Sequence, residues 1–139
     1  MDARSATLDR LFAAFNHHDA DAVMACFSDE AVFFTAAGPT AAGRRIEGLE
    51  SLRAAFVAVW TEMPDVQWTV HRSRVFADGG MTEWLFAGTR ADGARVEAEG
   101  LDLFTFAGDL VASKSAFRKD RPAIQAAVPS RAADNASAA

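Results

Sequence analysis

The chain has one cysteine among 139 residues and no tyrosine. A lone cysteine excludes an internal disulfide and fits a reducing, cytoplasmic setting. With no tyrosine, the aromatic bulk of eleven Phe and three Trp carries no phenol, which suits an apolar core or cavity. No apolar run approaches the roughly 20 residues needed to cross a bilayer, so no membrane span is expected. Bases are outnumbered, 14 Lys and Arg against 19 Asp and Glu, for a net charge of −5. No basic stripe accompanies exposed aromatics, which argues against a nucleic-acid surface. Met1-Asp2-Ala3-Arg4-Ser5 leads into an amphipathic helix and not into the apolar core of a signal peptide.

Cofactor motifs are missing too. The Gly38–Gly48 stretch lacks the glycine spacing of phosphate-binding loops. His17-His18-Asp19-Ala20-Asp21 has the residue types of a metal cluster. Adjacent helical side chains point about 100° apart, however, and the spacing fits no standard ligand set. Neither a cofactor nor a metal is expected. Cys26 sits on an apolar helix face with no base near it in sequence and reads as a buried, inert thiol.

What is present is an ordinary globular composition, half hydrophobic and 24% charged, at the length of one domain. Leu8, Leu11, Phe12 and Phe15 recur at helical spacing and predict a helix over 5–17, capped by Ser5 or Thr7. Asp19 caps a second, short helix carrying Val23, Cys26 and Phe27. Residues 31–35 read as a short buried strand and residues 36–45 as a loop. Ile46, Leu49, Leu52, Phe56, Val59, Trp60 and Met63 predict the longest helix, over 47–63, stopped by Pro64. Four strands follow: 66–76, 81–90, 95–106 and 110–118. Asp78-Gly79, Asp92-Gly93 and Gly108-Asp109 between them are hairpin signals. Asp120 is read as the cap of a last short helix reaching Val128. Residues 1–128 then form one domain, and the Ala/Ser/Asn-rich residues 129–139 a disordered tail. The fold class is α+β: three N-terminal helices and a curved antiparallel sheet wrapped around the long helix into a cone. A hollow between such a sheet and helix is where pockets form.

Asp102 stands in the otherwise greasy strand Leu101-Asp102-Leu103-Phe104-Thr105-Phe106. Carboxylates are rarely buried unless paired or put to use. Asp102 is therefore either an acid, base or oxyanion donor in a dry pocket, or a structural carboxylate paired with Lys114 or Arg118.

The order of elements resembles the nuclear transport factor 2-like superfamily, its SnoaL-like and ketosteroid-isomerase-like members above all, over residues 5–126. The resemblance is carried by Phe15-Asn16-His17-His18-Asp19-Ala20-Asp21-Ala22 with Phe27-Ser28-Asp29-Glu30-Ala31-Val32, and by Gly43-Arg44-Arg45-Ile46-Glu47-Gly48. Glu83 to Thr89 and Gly100-Leu101-Asp102-Leu103-Phe104-Thr105-Phe106 complete it. It implies the cone fold and a homodimer paired through the sheets, with Trp68, Val70 and Trp84 as an apolar outer face. It also implies a small-molecule pocket. In ketosteroid isomerases a neutral Asp donates a hydrogen bond to the oxyanion, and by strand alignment Asp102 falls at that position. The place of that family's general base holds Phe34, and its oxyanion phenol aligns near Leu11, so the steroid-isomerase mechanism does not carry over. The family register implies Glu83, Leu85 and Ala87 inward on one strand, and Lys114, Ala116 and Arg118 on the last. The expected site is a polar floor of Asp102, His71, Glu83 and Lys114 beneath Phe34, Phe56, Trp60 and Phe104. The catalytic candidates are Asp102, His71 and Glu83. The substrate-binding candidates are Phe34, Phe56, Trp60, Leu85, Phe104, Lys114 and Arg118. Plainer readings stand beside these: a cross-strand ion pair for Glu83, a surface position for His71, a solvated Lys114, and a surface cluster for Arg118, Lys119 and Arg121. The expected function is acid–base chemistry on an apolar cyclic or polyketide-like substrate, or ligand binding without catalysis.

Overall fold

The computed structural model describes residues 2–125. Helix α1 (Ala3–His17) starts two residues before the expected helix because Asp2 is its cap: the Asp2 carboxylate accepts from the backbone N–H groups of Arg4 and Ser5. It ends on His18, whose φ of 55° is left-handed. Asp19 caps α2 (Ala20–Met24), accepting from the Ala22 N–H at 3.1 Å. Strand β1 (Phe27–Phe34) starts earlier than residue 31. Across the end of the expected loop and the start of the expected long helix, Arg45–Glu47 forms a short strand, β2, that pairs with the end of β1. Gly48 then turns the chain with φ 87°, a conformation L side chains avoid, into α3 (Leu49–Glu62).

The remaining strands are β3 (Gln67–Phe76), β4 (Gly79–Thr89), β5 (Arg95–Ala107) and β6 (Leu110–Arg118). The curved, unclosed sheet runs β2-β1-β6-β5-β4-β3. All its pairings are antiparallel except β1 with β6, which run parallel. The segment after Asp120 is extended as far as Gln125, not helical, and Ile124 bridges back to Arg95. Backbone pairing with the start of β5 wins over helix formation there. The rest of that expected helix, to Val128, and the expected tail at 129–139 lie outside the described residues.

One sheet face packs on the helices. Leu8, Leu11, Phe12 and Phe15 of α1 and Leu52, Phe56 and Trp60 of α3 meet Trp84, Phe86, Phe104 and Val111, all buried. A fully buried Phe or Leu stabilises the fold by about 1.5–3 kcal/mol, so this seam holds α1 and α3 on the sheet. In β4, from Gly80 on, the buried positions alternate: Gly80, Thr82, Trp84, Phe86 and Gly88. Glu83, Leu85 and Ala87 therefore point to the opposite face, against the expected register. Trp84 is 3% exposed, and Trp68 packs between Phe15 and Phe86 at 5.2 Å from each ring. Neither supplies an outer apolar face. That face carries Phe34, Phe76, Leu103 and Phe117 instead, around a hollow of about 650 Å³.

Candidate functional site

The floor of the cone is a buried ion pair. Asp102 on β5 is 0% exposed, and Lys114 on β6 is 5% exposed. Asp102 is paired across the ladder with Thr82 and Ala116, and Lys114 with Phe104. The two charged groups thus meet diagonally on the helix-facing side, two positions apart. Lys114 Nζ lies 3.0 Å from Asp102 Oδ1. The other oxygen, Oδ2, accepts from the Trp84 indole N–H at 3.0 Å. No aligned donor reaches Oδ1, so the ammonium holds that oxygen by charge more than by hydrogen-bond geometry.

Aromatic rings enclose the lysine. Nζ lies over the faces of Phe33, Phe15 and Phe56 at 4.4, 5.5 and 5.7 Å from their centroids. The negative π-faces replace part of the water an ammonium loses on burial. Burial drives the Asp102 carboxyl pKa up; the nearby Lys114 charge, and then the Trp84 hydrogen bond, oppose it, and the net direction is upward. A carboxyl of raised affinity for its proton, held in a dry cage against a fixed cation, has the chemistry of a proton donor or acceptor.

Gly100 makes the Trp84 contact possible. A Cβ there would lie 2.7 Å from the Trp84 ring and would also strike the Phe117 carbonyl oxygen. The indole lies across this bare backbone and so reaches Asp102. Gly100→Ala is expected to destabilise the protein by about 1–3 kcal/mol through forced repacking, read as a lowered Tm in calorimetry.

His71 and Glu83 do not join the floor. His71 sits at an irregularity in the β3–β4 ladder, on the outer face, with Nε2 3.2 Å from Glu99 Oε2. Glu83 pairs with Arg72 on that same face. Leu85 is outward as well, and Phe34 lines the outer hollow with Leu103, Ser115 and Phe117. Phe33, one residue earlier, takes the inward place. Phe56, Trp60 and Phe104 are inward and buried. Arg118 stands at the open end of the cone with its guanidinium 5.0 Å from the Phe86 centroid. Trp84, Thr82, Phe15 and Phe33 surround the pair, and none of them is among the site residues expected from the sequence. For Trp84 a signal existed, since the bare Gly100 two residues before Asp102 asks for a large ring across the ladder. His18 closes α1, contacts the Val66 carbonyl at 3.0 Å and stacks on Trp60. The Cys26 thiol is buried, and burial pushes its pKa up against the pull of Arg10.

Bal32a, from a soil-derived mobile gene cassette, has the same fold, with a TM-score of 0.77 and 20% identity over 85% of this chain and 90% of its own. A putative SnoaL-like polyketide cyclase from Jannaschia sp. CCS1 superposes with a TM-score of 0.74 at 18% identity, covering 84% of this chain and 85% of its own. A protein of ketosteroid isomerase-like fold from Catenulispora acidiphila, in complex with trimethylamine, gives 0.71 at 16% identity, covering 80% and 83%. At such identities these likenesses show the fold alone. No curated protein matches the chain. Residues 8–114, however, match the SnoaL-like domain family, and they contain most of the first helix, the long helix, the Trp84–Asp102 contact and Lys114: the chain belongs to the SnoaL-like domain family.

Proposed function

We propose that this SnoaL-like protein is an acid–base enzyme acting on an apolar cyclic or polyketide-like small molecule, with Asp102 as the proton-carrying group. One observation carries the reading: a carboxylate with no exposure, paired with a caged ammonium in the interior of the cone. Replacing such a pair with well-packed apolar groups is often neutral or stabilising, so stability alone is a weak reason for its presence. In this reading Lys114 keeps the carboxyl from staying permanently protonated, and the Trp84 N–H orients it. Substrate reaches it when Trp84 swings off Gly100, and the surrounding rings then exclude water from the reacting atoms.

The test is deuterium incorporation from D₂O into a panel of aromatic β-keto esters and cyclic enones, which reports proton abstraction whatever the final product. Wild-type protein is expected to exchange at least one class, and Asp102→Asn to lose that exchange. Equal exchange by a folded Asp102→Asn protein would sink the assignment. A second reading, ligand binding without chemistry, is favoured by the complete sealing of Asp102 beneath Trp84. It predicts thermal stabilisation by a ligand, equal in wild type and Asp102→Asn, with no deuterium incorporated.

The protein in this proposal is a homodimer joined through the outer sheet face. Supporting it are Phe76, Leu103 and Phe117 on that face, 43%, 43% and 52% exposed, around the outer hollow. Large exposed apolar groups gathered on one face, as opposed to scattered singly, mark an interaction surface. Phe117→Asp is expected to convert dimer to monomer in size-exclusion chromatography with light scattering. An unchanged mass would place the contact elsewhere.

A further inference from the structure

A second cavity, of about 310 Å³, opens at the mouth of the cone, where β5 begins and β6 ends. Val96, Ala98 and Ala123 give it apolar walls, while Arg90, Arg118, Lys119 and Arg121 bring four cationic side chains to it against one carboxylate, Asp120. In a chain of net charge −5 this concentration runs against the overall balance. Arg121 is partly committed, donating to the Glu97 carbonyl at 3.0 Å with the Glu97 carboxylate 3.9 Å away. Arg90, Arg118 and Lys119 take part in none of the ion pairs among the described residues. Arg118 is the best placed of them. It occupies the inward position next after Ala116, and its guanidinium lies over the face of Phe86. None of the hydrogen bonds or ion pairs among the described residues engages its N–H fork, which is left for a bidentate partner.

From this juxtaposition we infer that the mouth is a binding site for a small organic anion, a carboxylate on a short apolar body, with Arg118 as the fork that receives the carboxylate. Lys119 and Arg90 add charge attraction at the rim, and the apolar body rests on Val96, Ala98 and Ala123. The volume is at the lower end for small-molecule sites, which suits a compact molecule. The site lies apart from Asp102: Val96 and Ala98 line it, and the next inward position on β5, Gly100, is covered by Trp84.

Benzoate, neutral benzyl alcohol and inorganic phosphate, titrated into ¹⁵N-labelled full-length protein, test the site. Benzoate is expected to give saturable shifts centred on Val96, Ala98 and Ala123, with benzyl alcohol and phosphate binding more weakly. Arg118→Gln should weaken benzoate by about 10- to 100-fold, the loss of a charged hydrogen-bond partner, and Arg118→Lys by less, since it keeps the charge but not the fork. Arg74→Gln on β3 and Asp102→Asn should both leave benzoate binding unchanged. Absence of saturable benzoate shifts would overturn the inference, as would equal binding of benzyl alcohol, or unaltered affinity in a folded Arg118→Gln protein. Benzoate binding that persists while Asp102→Asn exchanges normally would uphold this site and sink only the catalytic reading.

Discussion

Lys114→Met is expected to destabilise the protein by about 3–5 kcal/mol, the usual effect of removing one partner from a buried ion pair. The sulfur chain fills most of the lysine's space among Phe15, Phe33 and Phe56, so the loss comes chiefly from a carboxylate left without its cation. That loss depends on pH, with a definite sign. Burial already raises the Asp102 pKa from 3.8 in the wild type, and removing the Lys114 charge takes away the main opposing influence. A group whose folded pKa lies above its unfolded value gives stability that is complete below the unfolded pKa and lost as pH rises through the folded one. The Lys114→Met protein should therefore be most stable near pH 4 and weaken toward neutrality. The wild type should show the same direction with a shallower slope. Urea unfolding at about pH 4.5 and about pH 7.5 reads the difference. A penalty independent of pH would mean that the Lys114 charge does not shift the Asp102 pKa. Asp102→Leu/Lys114→Met, with both charges gone, should recover much of the lost stability.

Asp102→Asn has the largest expected effect on activity. General acid–base catalysis by a positioned side chain contributes about 10²- to 10⁴-fold, and the amide cannot accept and return a proton at neutral pH. Its geometry is also mismatched. With the amide oxygen toward Lys114, the NH₂ group faces the Trp84 N–H, donor against donor; flipped, it faces the ammonium. Some loss of stability will accompany the substitution, so exchange should be measured well below the variant's own Tm and with native circular dichroism confirmed. Trp84→Phe separates the two contributions. It removes one hydrogen bond to Oδ2 and the outer ring that covers Gly100 but keeps the titrating carboxyl, so its exchange should stay well above that of Asp102→Asn.

Most of the fold was legible because its signals are local. The 3.6 period of Leu8, Leu11, Phe12 and Phe15, the Asp19 cap, the break at Pro64 and the Gly-containing hairpins each fix an element without reference to distant residues. β2 escaped because three residues with no internal period become a strand only when β1 lies beside them. The segment after Asp120 went wrong for the same reason, since its pairing with Arg95 is a long-range event.

The site divides along a similar line. Asp102 was identifiable because a carboxylate amid Leu101, Leu103 and Phe104 is expensive wherever that strand goes. Lys114 stood among its expected partners, beside Arg118, His71 and Glu83, but which of them share its face depends on parity: a one-residue shift exchanges the two faces of a strand. In β4 both sets are apolar enough to be buried, Thr82, Trp84 and Phe86 on one side and Met81, Leu85 and Ala87 on the other. Only pairing with β5, opposite Asp102 and Gly100, put Trp84 inside and Glu83 outside. An irregularity in the ladder at His71 likewise decided its face.

By itself, then, the sequence determined the order of the principal elements, the cone and the presence of one carboxylate needing a reason, because periodicity, caps and burial preference act within a few residues. Tertiary structure alone decided between the expected partners, pairing Asp102 with Lys114, adding Trp84 and putting His71 and Glu83 on the opposite face, because strand register is set by residues far apart in the chain.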